Sequence, residues 1–380
     1  MQHYWQLVRD RLNLSMGPEQ PLEQHLRAAV DWLLRAQAAT PDDGVAHSYD
    51  LRRSRWDASY PETTGYIIPT LFDYAELFSA PRFAAAALRM ADWEIAVQLP
   101  DGGVRAGTMD AEVVAPTIFN TGQVLFGFAR AFTATREPRF AHALRRAADW
   151  LVAAQDADGA WRRFPSPYAP GSGAKAYNTR SAFGLVRAWE ALGESRWLDA
   201  ADANVRWALA NALPNAFLPH NCLTSNPDPL THTLAYSMRG LMEVGVATGQ
   251  ERYIDHAVRM AQAIAAKQRA DGSMPGRYDA QWRPAAAWSC MTGNSQLAIN
   301  WLRLDRITGK KQFEKYAIAA NRFNMRVQNL RQQDPNRAGA LKGSHPINGG
   351  YMTWRYPNWG TKFFADALML EMRPEVANLG

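Results

Sequence analysis

Five side chains in this 380-residue sequence stand out for proton transfer at a sugar ring: His220, His232, Tyr60, Tyr177 and Glu62. Proton abstraction beside a carboxyl group needs a base, an acid for the departing oxygen, and a group that takes up the carboxylate charge. His220 or His232 supplies the base, because an imidazole titrates near neutral pH without help. Tyr177 or Tyr60 supplies the acid, and Asn178 and Arg180 the neutralising group. Asn120, Asn294, Trp56, Trp354, Arg355 and Tyr356 add amide, guanidinium and aromatic surface for binding substrate, since flat sugar faces stack on aromatic rings. Glycosidic hydrolysis is a second chemistry open to the chain. It needs two carboxylates, about 5–9.5 Å apart, for which Glu62 and Asp57 are candidates, with Asp110 and Glu112 behind them. Glycan binding without catalysis is a third reading, in which no acid or base is tuned. Each residue also has an ordinary use: the asparagines as helix N-caps, the tyrosines as loop packing, Glu62 as a favourable charge at a helix start.

Composition narrows the partners. A net charge of +6 with pI near 9.3 favours an anionic partner, here an acidic polysaccharide or oligosaccharide. Basic clusters such as Arg52-Arg53-Ser54-Arg55 and Arg162-Arg163 are short, too short to predict a nucleic-acid partner. The two cysteines, Cys222 and Cys290, sit in no metal-ligand spacing, so neither a metal nor another cofactor is expected. The sequence after Met1 lacks a long apolar stretch and no run approaches a membrane span, which predicts a cytoplasmic location.

A repeat positions these side chains. A basic or amide residue followed by an aromatic recurs as Arg82-Phe83, Arg139-Phe140, Arg196-Trp197, Arg252-Tyr253 and Gln312-Phe313, each opening a stretch with apolar residues at helical spacing. Three of these helices end alike, at Gln98 to Gly103, Gln155 to Trp161 and Gln268 to Ser273, with glycine as helix terminator. After each long loop a small polar residue precedes a more apolar helix, at Thr63, Asn120, Asn178, His232, Asn294 and Asn358. These read as N-caps, and helices apolar nearly all round must be buried. Six amphipathic helices therefore alternate with six buried ones. The spacing predicts an all-α (α/α)6 toroid with inner and outer helix rings, one domain over 1–380, with an extension at 1–20 and repeats over about 21–372. All inner helices then start at one end, and their aligned dipoles make that mouth favourable to anions.

Three stretches carry a resemblance: Tyr60-Pro61-Glu62-Thr63-Thr64-Gly65-Tyr66, Cys290-Met291-Thr292-Gly293-Asn294-Ser295-Gln296, and Tyr356-Pro357-Asn358-Trp359-Gly360-Thr361-Lys362. Here the chain resembles the six-hairpin α/α-toroid carbohydrate-active proteins. The nearer likeness is to exopolysaccharide-biosynthesis proteins of the VpsJ kind, the more distant to uronate-polysaccharide lyases and glucuronyl C5-epimerases. The resemblance implies an acidic glycan substrate and lyase or epimerase chemistry. Toroidal terpene cyclases need a DxDD or DDxxD motif and lanthionine cyclases a Cys/His zinc set, and the sequence has neither.

Overall fold

The computed structural model describes residues 2–168, 173–223 and 225–374. A short helix α1 (Gln2–Arg11) precedes the repeats. The outer helices are α2 (Leu22–Ala38), α4 (Pro81–Val97), α6 (Pro138–Ala154), α8 (Ser195–Ala210), α10 (Glu251–Ala265) and α12 (Glu314–Gln328). The inner ones are α3 (Pro61–Leu77), α5 (Ile118–Thr135), α7 (Thr179–Leu192), α9 (Thr231–Thr248), α11 (Met291–Thr308) and α13 (Asn358–Met372). Each inner helix packs on the next inner one, and α13 packs on both α2 and α3, so the ring closes. The expected (α/α)6 toroid is the observed fold.

The sequence landmarks turn out to be cross-links. Gln98 Nε2 donates to Gly102 O within its own turn and to Ala143 O on the next outer helix, at 3.0 and 3.1 Å. Gln155 and Gln268 repeat this toward Ala200 O and Tyr316 O. Gln328 Nε2 reaches His25 O across the ring closure at 3.1 Å. Each amide satisfies the turn-glycine carbonyl that follows its helix and bonds a second carbonyl on the next outer helix. The glycine is obligatory for two reasons. Gly102 has φ +98°, and a Cβ there would lie 2.6 Å from Arg146 O, so only glycine allows both the conformation and the approach. The basic-aromatic landmark joins neighbours too: Arg82 and Arg196 pair with Asp31 and Asp149 of the preceding outer helix.

Two small sheets tie the mouth loops together. Strand β1 (Ser48–Asp50) lies between β2 (Arg55–Trp56) and β5 (Arg355–Pro357), all antiparallel, with Tyr49 opposite Tyr356. The first and last loops of the ring are therefore one unit. Strands β3 (Ser289–Cys290) and β4 (Ser344–His345) make the second pair.

The helix starts differ from expectation. Tyr60, Thr117, Leu230, Cys290 and Pro357 precede the helices, and none makes a side-chain cap. Only Asn178 holds its expected N-cap position, also without a side-chain cap bond. Asn120, His232 and Asn294 lie inside the first turn. Hydroxyls that bond backward let these helices begin earlier, threonines at α3 and α5 and Ser295, donating to Met291 O, at α11. Thr64 Oγ1 donates to Tyr60 O at 2.9 Å and accepts from Val45 N; Thr121 does the same with Thr117 O and Val104 N. Each threonine clamps an incoming loop onto its helix.

Candidate active site

Glu62 is the second residue of α3, so the first turn of the helix carries its carboxylate into the mouth. The Tyr60 hydroxyl donates a short hydrogen bond to Glu62 Oε2, and Asn120 faces the same hydroxyl. Glu62 keeps partial solvent contact, but protein surrounds it. Burial pushes its carboxyl up to about 7, against the opposing pull of the Tyr60 hydrogen bond. A carboxyl that titrates near neutrality serves as acid or base. Burial, and then the Glu62 charge, raise the Tyr60 phenol well above its usual range.

His232 projects from α9, diametrically across the ring from α3. Its Nδ1 lies 2.8 Å from Gln296 Oε1. A carboxamide oxygen only accepts, so with the amide placed as it is, Nδ1 carries the proton and Nε2 has a bare lone pair. The ring is 5% exposed, and burial lowers its pKa to about 4 despite the Gln296 bond, with Arg180 adding to the drop. The imidazole is therefore neutral throughout the physiological range. It is flanked by Tyr236 and Tyr351, at ring-centroid separations of 4.5 and 5.2 Å. Tyr236 links the two sides: it touches His232 and feels the Glu62 charge.

Aromatic walls complete the mouth. Phe119 lies between Tyr177 and Tyr236, at 5.3 and 5.1 Å. On the other side His47 packs on Tyr60 and Trp359, and the Trp359 indole donates to Tyr351 Oη at 2.7 Å. Burial raises the Tyr177 phenol, and the Glu62 charge adds to the shift.

Arg180 forms the floor. It is 2% exposed and makes no ion pair among the described residues. Its guanidinium stacks 4.3 Å from the Phe126 ring centre, its Nε makes a long 3.4 Å bond to Gln123 Oε1, and its Nη2 is buried without a hydrogen-bond partner. Burial lowers its pKa to about 10, so it stays charged at neutral pH. The Asn178 and Asn221 amides are also buried, each with one polar atom unpartnered.

The ring thus brings Tyr60, Glu62, Asn120, Tyr177, Arg180 and His232 to one end, with Asn178 at the same helix start. The other sequence candidates lie elsewhere. His220 is exposed on the rim, where its carbonyl accepts from Ala176 N. Asn294 faces outward to Asn324 of α12, at 3.4 Å. Trp56 packs on Trp32 and donates to Asn336 Oδ1. Trp354 is buried beneath Arg52. Arg355 grips Asp50 and Asp57, and Tyr356 points from the opposite face of β5 into a different cavity. Asp57 is held by Arg355, Ser48 and His47, and its pKa is lowered because these partners outweigh burial. Asp110 and Glu112 are exposed. Sequence reading missed His47, Tyr236, Gln296, Tyr351 and Trp359. Tyr236 was within reach, one helical turn from His232; His47 reaches the site only through ring closure.

No family model matches the chain, and no curated protein matches it in sequence. Solved structures do share its fold. An unsaturated glucuronyl hydrolase specific for heparin superposes with TM-score 0.75 over 94% of this chain and 98% of its own, at 18% identity. Cellobiose 2-epimerase from Bacillus thermoamylovorans gives 0.72 over 91% and 98%, at 9% identity. A D-mannose isomerase gives 0.71 over 92% and 97%, at 11% identity. Among the described residues no helix is long and apolar enough to cross a membrane.

Proposed function

We propose that this chain is a carbohydrate-active enzyme that moves a proton on an acidic saccharide, with His232 as base and Glu62, held by the Tyr60 hydroxyl, as acid. One observation carries the reading. Two groups whose pKa values are pushed in opposite directions, down to about 4 for His232 and up to about 7 for Glu62, stand at the starts of opposite inner helices, with Tyr236 packed on His232 and feeling the Glu62 charge. Pushing the two pKa values apart assigns the roles, because between them His232 is neutral and Glu62 protonated. The uncompensated charge of Arg180 below, and the aligned inner-helix N-termini, favour a sugar that carries a carboxylate. A proton leaves the carbon beside that carboxylate for His232 Nε2. Glu62 protonates either the departing glycosidic oxygen, giving elimination, or the opposite face of the carbanion, giving epimerisation.

Hydrolysis is the second reading, favoured by the raised Glu62 carboxyl, which is the form a glycosidase acid takes, and by the fold shared with the glucuronyl hydrolase. Asp57 is a weak partner for it, since Ser48 and Arg355 both occupy its Oδ2. The test is incubation with uronate oligosaccharides in heavy water. Conjugated-enoate absorbance marks elimination, deuterium at C5 of intact chains marks epimerisation, and reducing ends without absorbance mark hydrolysis. Loss of the first two signals in His232→Asn and Glu62→Gln supports the lead reading. Activity that survives His232→Asn but not Glu62→Gln replaces it with hydrolysis.

A further inference from the structure

Strand β5 turns one side chain toward β1 and the carboxylates beside it, and the next one to the opposite face. Arg355 binds Asp57, while Tyr356 lines a separate cavity of about 190 Å³. This cavity lies where the N-terminal segment packs against the loop between α12 and α13. Its seam is built: Lys342 Nζ pairs with Asp10 Oδ2 at 2.7 Å with both side chains buried, Ile347 N donates to the same oxygen, and Asn329 Nδ2 donates to Ser15 O.

The side chains that face the cavity are donors. Arg337 is anchored, by Asp334 at 2.9 Å and by the oxygens of Gln6 and Gln332. The Gln332 oxygen accepts from both Arg337 and Asp334 N, so its NH2 group is left to give. Arg9 donates once, to Leu14 O at 3.3 Å, and neither Arg9 nor Arg331 pairs with a carboxylate among the described residues. Four cations (Arg9, Arg331, Arg337 and Lys342) meet two carboxylates, Asp10 and Asp334. A concave wall with surplus positive charge and free N–H groups suits an acceptor-only group. Partial exclusion of water strengthens the attraction, and guanidinium pairs match the planar or tetrahedral fork of an oxyanion.

The geometry points to a second site, outside the catalytic mouth, that binds a small oxyanion: a phosphate, or the carboxylate of an acidic sugar. It draws on residues the proposed chemistry does not use, and stands whether or not that chemistry is right.

The test is calorimetric titration of the full chain with sodium phosphate and, separately, with sodium glucuronate, at fixed ionic strength in chloride. A saturable site that persists in Arg180→Met, the variant that weakens carboxylate binding at the mouth, is expected for at least one of the two. Arg9→Gln combined with Arg331→Gln weakens it about tenfold or more, because charge-assisted bonds are the strong ones. The unliganded melting temperature of that variant stays put, since both side chains are exposed and neither pairs with a carboxylate among the described residues. Tighter phosphate binding assigns a phosphate ligand, and tighter glucuronate binding assigns a sugar carboxylate. Undiminished binding in the double variant, or no saturable heat from either probe with the wild-type chain, overturns the assignment.

Discussion

The two halves of the ring axis treat buried charge in opposite ways. Deep in the ring, charges are paired. Lys362 meets Asp366 at 2.6 Å with both side chains inaccessible, and Thr70 donates to the same carboxylate group. Arg130 pairs with Asp73, and Glu243 is held by both Arg239 and Arg303 at 2.8 Å. Burial alone would raise the Glu243 carboxyl, but its arginines hold it down at about 2. At the mouth, Glu62 has only a phenol, His232 only an amide, and Arg180 no carboxylate. Buried charge without a partner is strongly unfavourable. The deep network therefore closes the fold, and the mouth leaves its charges for a ligand.

Substitutions separate the two halves. Glu62→Gln should lower turnover by about 10²–10⁴-fold, the usual share of a general acid, while the fold survives. Glu243→Gln should do the reverse. It strands Arg239 and Arg303, and breaking one side of a buried pair costs about 3–5 kcal/mol, read as a fall in the denaturant midpoint. Loss of stability in the first variant or its absence in the second would erase the contrast.

The pH response sharpens it. Activity needs protonated Glu62 and neutral His232, so it should fall above about 7 and below about 4. Stability follows the same signs. The folded Glu62 pKa lies above its ordinary 4.5, so its contribution is complete below 4.5 and lost as pH rises through about 7. The folded His232 pKa lies below 6.5, so its contribution is present above 6.5 and lost as pH falls toward about 4. Glu62→Gln and His232→Asn should each remove one of these slopes, measured as midpoint against pH.

Smaller effects come from the supporting groups. Arg180→Met should raise KM for a carboxylate-bearing sugar more than for its methyl ester, by about tenfold if one charged contact is lost. Gln296→Ala should cost about 1 kcal/mol in kcat/KM by releasing the His232 tautomer.

Much of this was legible in the sequence. The repeat fixes the ring, and the ring delivers Glu62, Tyr177, Arg180 and His232 to one end. What failed was local. Asn120 and Asn294 read as caps because hydroxyl back-bonding, by Thr121 at α5 and by Ser295 at α11, leaves no periodic mark. Arg355 and Tyr356 were both assigned to the mouth, although adjacent residues of a strand face opposite ways; the strand forms only by pairing with β1 across the closure. His47 and Trp359 meet at the same seam.

The most direct test is the titration of Glu62 itself, followed by carbon-13 NMR of the labelled carboxyl with Glu62→Gln as the assignment control. A midpoint near 7 is expected. An ordinary midpoint near 4.5 would mean that the carboxylate is already ionised and satisfied, and the mouth would lose its acid.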